Sequence, residues 1–171
     1  MRHENHKFVS EGELLAGEPV FTVLPHDPRY EPTVQLLTEA HVARWLATAE
    51  RYWGAWSEQA RYEGPDRDAV VRSALVLKAL TYEPSGALLA APTTSIPERV
   101  GGALNWDYRF TWLRDASFVL NALFRLGYHG EARAFLQWLE WTTVGRARDL
   151  QLVYGIGGER RLTETELREL E

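Results

Sequence analysis

The stretch Asn105-Trp106-Asp107-Tyr108-Arg109-Phe110-Thr111-Trp112-Leu113-Arg114-Asp115-Ala116-Ser117 decides how the rest of the chain is read. Two tryptophans, a tyrosine and a phenylalanine alternate with Asp107, Arg109, Arg114 and Asp115, which sets flat apolar faces beside hydrogen-bonding groups of both signs. A pyranose presents the same mixture: C–H faces that pack on rings, and a rim of hydroxyls that carboxylate and guanidinium hold in orientation. An aromatic core with structural ion pairs is the competing reading, because buried charges are paired whatever their role. Aliphatic periodicity begins at Leu113 and continues through Phe118, Val119, Ala122, Leu123 and Leu126, so residues 113–127 read as a helix with Gly127 at a left-handed C-cap. Arg114 and Asp115 fall in its first turn, where the helix dipole favours a carboxylate.

Upstream, Leu37, Ala40, His41, Trp45, Ala49, Tyr52, Trp53 and Trp56 recur at three- and four-residue steps, predicting a long amphipathic helix from Thr33. Gly64-Pro65 stops it or closes the turn after it. A second helix is expected from Pro65 or Asp66 to Thr81, apolar on more than one side through Val70, Val71, Ala74, Leu75 and Leu77. Pro84-Ser85-Gly86 ends it in a turn, and residues 86–97 read as an extended excursion. Downstream, residues 130–143 form a fourth helix, 146–149 a solvated turn, 150–154 an extended run and 155–158 a glycine turn. That turn lacks the spacing of a phosphate loop. Thr163-Glu-Thr-Glu166 is a capping-box pattern opening one more helix. Residues 1–32 differ from the rest: one strand-like run, 19–24, precedes Pro25, Pro28 and Pro32, which exclude a helix there.

Length and charge set the outer bounds. A chain of 171 residues holds one domain with a real core. A net charge of −5 with scattered basic residues argues against a nucleic-acid partner. Without cysteine there is no disulfide, thiol nucleophile or thiolate metal site. The five histidines form no i,i+4 helical pair, so no metal and no cofactor is expected. No serine sits in a nucleophile elbow. No apolar run approaches a membrane span, and no signal core follows the polar N-terminus, so a cytoplasmic location is the expectation. Asp107 and Asp115 lie too close in sequence to flank a scissile bond as an acid–base pair, and read better as orienting groups.

The segments 72–82, Ala90-Ala-Pro-Thr-Thr-Ser-Ile-Pro-Glu98, Gly101-Gly102, Asn105-Trp-Asp-Tyr-Arg-Phe-Thr-Trp-Leu-Arg-Asp115 and Leu150-Gln-Leu-Val-Tyr-Gly-Ile-Gly-Gly158 together resemble glycoside hydrolase family 15, the bacterial and archaeal glucoamylase-like enzymes with their trehalase-like members. The resemblance covers residue 65 to the end, and more weakly from residue 33. It implies a mainly α chain forming about the first third of an (α/α)6 barrel, the six-hairpin architecture, over residues 33–171. Residues 1–32 would be the remnant of a preceding β-sandwich and its linker, a short β or irregular segment. By resemblance, Arg114 and Asp115 grip hydroxyls of the terminal glucose in subsite −1, with Tyr108 and Trp112 lining its wall. The substrate class is an α-glucan or trehalose, cleaved with inversion. None of Glu131, Glu140, Glu159, Glu164, Glu166, Glu169 or Glu171 matches the family's catalytic glutamates, so no catalytic residue is assigned and the chain is expected to be a truncated, inactive form on its own. A non-catalytic carbohydrate-binding module, or an inactive remnant whose uncovered apolar helix faces favour self-association, is the alternative.

Overall fold

The computed structural model describes residues 2–4, 7–9, 11–13, 15–23, 37–93, 100–102, 106–144 and 146–163. Four α-helices dominate the described residues: α1 (Glu39–Ser57), α2 (Arg67–Ala79), α3 (Leu113–Arg125) and α4 (Gly130–Thr143). Short strands pair into three antiparallel ladders, β1 (Arg2–Glu4) with β2 (Lys7–Val9), β3 (Thr81–Tyr82) with β4 (Ala87–Leu88), and β5 (Thr111–Trp112) with β6 (Val153–Tyr154). The chain divides into two compact units, Met1–Glu50 and Arg51–Glu171.

In the first unit the hairpin β1–β2 pairs Arg2 with Val9 and Glu4 with Lys7. The strand-like run expected at residues 19–24 is not a strand over 19–23, whose apolar side chains Val20, Phe21 and Val23 are exposed. Alternating β-formers without a neighbouring strand have nothing to pair with. α1 starts at Glu39, with the Thr38 carbonyl accepting from the His41 and Val42 amides. His41 Nδ1 reaches back to the Thr38 hydroxyl at 2.8 Å and amide at 3.2 Å, taking the place a glutamate holds in a capping box. The Thr33 cap, the proline linker and the helix after Thr163 lie outside the described residues.

In the second unit α1 stops at Ser57, seven residues or about two turns before Gly64, so the second of the two roles offered for Gly64-Pro65 holds. Ser57 Oγ bonds back to the Gly54 carbonyl, and the Arg61 amide donates to the Leu126 carbonyl at 2.8 Å instead of continuing the helix. Gly64-Pro65 therefore closes the turn into α2, with Asp66 left-handed at φ 56° and Arg67 the first helical residue. Thr81 has left the helix for β3. The excursion expected from residue 86 opens instead as the return strand of a hairpin, turned by Gly86 at φ 84°. A Cβ at Gly86 would meet the Ala134 backbone at 2.7 Å, so both conformation and space require glycine.

α3 is central because one stripe serves two cores. Ala116 belongs to a cluster with Ala87, Leu88, Phe135, Trp138 and Tyr154. Two turns on, Leu123 joins Trp56, Ala60, Ala74 and Tyr128, and Val119 packs against both clusters. Gly127, at φ 96°, ends the helix as its position predicts. α4 spans the expected 130–143 and buries Glu131, Phe135, Trp138 and Thr142, an i, i+4, i+7, i+11 stripe.

Candidate functional site: an aromatic and ionic strip leading into α3

The site is built where an irregular segment becomes β5 and then α3. Backbone bonds fix the approach, with the Ala91 amide donating to the Tyr108 carbonyl at 2.8 Å and the Ala90 amide to the Phe110 carbonyl at 3.1 Å. β5 pairs with β6, Thr111 opposite Tyr154 and Trp112 opposite Val153, and the Leu113 amide donates to the Leu152 carbonyl at 3.0 Å. Two β-forming residues anchor the strip before the helix begins. Thr111 is fully buried, and its hydroxyl has no hydrogen-bond partner among the described residues.

The four residues expected to bind sugar fall into two contacting pairs. The rings of Tyr108 and Trp112 are 5.8 Å apart and tilted by 38°, with Trp106 edge-on to Trp112 at 6.3 Å. Arg114 Nη2 donates to Asp115 Oδ2 at 3.1 Å, the arginine side chain 67% exposed and the aspartate 30%. Trp112 and Leu113 join the pairs through the chain. Arg114 uses one donor of its five, and Asp115 one oxygen, among the described residues.

Asp107 differs in kind. Its Oδ1 accepts the Arg109 amide at 2.9 Å and Nε at 3.0 Å, while Oδ2 accepts Nε at 3.2 Å and Nη2 at 2.7 Å. These bonds from Arg109 hold the Asp107 carboxyl below its ordinary value of 3.8 and raise the guanidinium in turn. A carboxylate so fully engaged is not free to orient a ligand.

A second polar cluster lies in the core beneath α3. Glu131 Oε1 accepts the Trp56 indole N–H at 2.9 Å and the Lys78 ammonium at 3.0 Å, and Trp56 stacks on Tyr128 with centroids 3.9 Å apart at 4°. Burial alone would push the Glu131 carboxyl up; the hydrogen bonds from Trp56 and Lys78 outweigh it and hold the group below its ordinary 4.5. Burial raises the Tyr128 phenol. Sequence reading had placed Glu131 in the fourth helix and among the glutamates that match no catalytic position, without a buried role. Its signal is a lone carboxylate on the stripe that carries Phe135 and Trp138.

Around β6 the glycine turn folds over Glu159, whose carbonyl accepts the Gly155 amide and whose Oε2 accepts the Gly157 amide at 3.0 Å. A Cβ at Gly155 would meet that carboxylate, which a change of the exposed Glu159 side chain could relieve. Among the described residues, no helix is long and apolar enough to cross a membrane.

Residues 64–171 match the family described as Glycosyl hydrolases family 15. The trehalase of Mycolicibacterium smegmatis is 43% identical over 161 residues, 92% of this chain and 24% of that protein. The trehalase of Mycobacterium tuberculosis is 42% identical over 161 residues, 92% of this chain and 23% of the relative. The trehalase of Thermoplasma acidophilum is 43% identical over 116 residues, 68% of this chain and 20% of its own length. The chain thus spans about a quarter or less of these curated relatives. No solved structure matches significantly. With a family match over more than half its length, the chain belongs to glycosyl hydrolase family 15.

Proposed function

We propose that the chain supplies the glucose-gripping side of the −1 subsite of an inverting α-glucosidic hydrolase, with trehalose as the preferred substrate. The reading rests on one observation above the others: among the described residues, the Arg114 and Asp115 side chains share a single mutual hydrogen bond and make no other. A guanidinium and a carboxylate so poised bind adjacent hydroxyls, and the Tyr108–Trp112 pair offers the sugar's C–H face a ring wall. Clamping the terminal hydroxyls selects a non-reducing end, because a hydroxyl used in a further glycosidic bond is no longer free to be gripped. Because the relatives in question are named trehalases, trehalose is the preferred choice of substrate in this reading. In this reading α1 to α4 belong to the opening third of an (α/α)6 barrel over residues 33–171, after a remnant of a β-sandwich domain at 1–32.

Inversion needs an acid to protonate the glycosidic oxygen and a base to activate water on the opposite face. The residues here orient glucose and exclude water from one ring face; neither Arg114 nor Asp115 is assigned the acid or base. Binding without turnover is the expected behaviour of the 171-residue chain. Calorimetric titration with trehalose, maltose and cellobiose, beside a coupled assay for released glucose, tests it. Saturable binding of the α-linked sugars without glucose release agrees; equal uptake of cellobiose, or no uptake of any sugar, overturns it.

A second reading is favoured by the exposure of Phe118, Trp141 and Leu152, each more than two-thirds open. Apolar faces of this kind drive self-association of a sugar-binding remnant. Size-exclusion chromatography against concentration tests this, and a concentration-independent monomer rejects it.

A further inference from the structure

We infer that Asp107 is a positioning residue, which fixes the Tyr108–Trp112 ring pair of the wall rather than touching the sugar; the inference rests on the reading of that wall as part of a glucose subsite. Five hydrogen bonds, from two residues, converge on this one residue. Its side chain accepts the Arg109 amide at 2.9 Å and closes a turn around Tyr108. The same carboxylate takes the Arg109 guanidinium through both oxygens. Its carbonyl accepts the Trp112 indole N–H at 3.3 Å, so the indole is referred to the turn that carries Tyr108.

The consequence is geometric. Tyr108 sits between a turn closed by Asp107 and a carbonyl pinned by the Ala91 amide, and Trp112 is held by β5–β6 pairing at its backbone and by Asp107 at its ring. Neither ring is locked by deep burial, since both are only half-buried. Polar bonds therefore set the orientation that packing would set in a core. An aspartate suits this place because its short side chain reaches the amide two residues on, the geometry of an Asx turn. Asparagine keeps that acceptor and loses the charge; alanine keeps neither.

The test uses the full chain and the variants Asp107→Ala, Asp107→Asn and Arg109→Ala. Thermal unfolding checks that each is folded, and the Trp112 indole N–H resonance, assigned by Trp112→Phe, reports the ring. Trehalose affinity is measured by titration. Asp107→Ala is expected to shift the indole resonance toward solvent-exposed values and to weaken trehalose binding about tenfold, the scale of one lost ring contact in a sugar wall. Asp107→Asn restores both readouts, and Arg109→Ala, which retains the turn, moves them less than Asp107→Ala does. An unmoved indole resonance in Asp107→Ala overturns the inference, as does a moved resonance with unchanged affinity. If the unmutated chain takes up no trehalose, the glucose-subsite reading fails by itself. The indole shift then still decides whether Asp107 holds the rings.

Discussion

Two clusters in this molecule are made from the same parts, a carboxylate, a cation and an indole, and they differ in what surrounds them. In the core, Glu131 is buried against Lys78 and Trp56. In the first turn of α3, Arg114 is exposed and Asp115 half-buried, and among the described residues their side chains share one hydrogen bond. Burial makes an unpaired charge costly, so every partner in the core is an obligation of folding. Exposure removes that cost and leaves groups free for a ligand. Asp107 marks the intermediate case, on the surface yet fully engaged by Arg109, and its part is accordingly internal to the strip.

The comparison is broken most directly at its buried end. Glu131→Ala strands the Lys78 ammonium and the Trp56 N–H, and is expected to cost about 3–5 kcal/mol, lowering Tm by roughly 10 °C. A change within a degree or two would mean the cluster is as dispensable as a surface pair. Trp56→Phe keeps the stack on Tyr128 and removes one donor to Glu131, for an expected loss of about 1–3 kcal/mol by urea unfolding. The smallest effect is in pH. Because the folded-state carboxyl of Glu131 titrates below its ordinary 4.5, its stabilisation is complete above that pH and is lost as pH falls through the lower folded value. The stability gap between the unmutated chain and Glu131→Gln should therefore narrow below about pH 4.5; a gap that widens on acidification contradicts the depressed carboxyl.

Much of the fold could be read from local pattern. The bounds of α4 and the left-handed Gly127 follow from periodicity and backbone freedom, both properties of a short window. What escaped was decided by distant residues. α1 ends at Ser57 because the Arg61 amide finds the Leu126 carbonyl, 65 positions on. Residues 19–23 have strand composition without a strand partner among the described residues, while residues 87 and 88 gain strand pairing from β3 across a turn that reads as loop. In the site, residue types announced a sugar-like surface, and the choice of Asp115 over Asp107 came from the family resemblance rather than from the residue types. Residue chemistry alone treats the two alike, and the four contacts from Arg109 to Asp107 give the physical difference between them. The buried role of Glu131 likewise depends on Trp56 and Lys78, contributed by two other helices.

The central claim is that open hydrogen-bonding capacity on the strip, and not mere charge, is what holds the sugar. The most direct measurement is the trehalose dissociation constant of Asp115→Ala beside that of the unmutated chain, with Tm recorded on the same samples. Loss of a charge-assisted hydrogen bond predicts affinity weakened about 10- to 100-fold at an essentially unchanged Tm. Equal affinity, or a loss of affinity that only accompanies unfolding, would contradict the account.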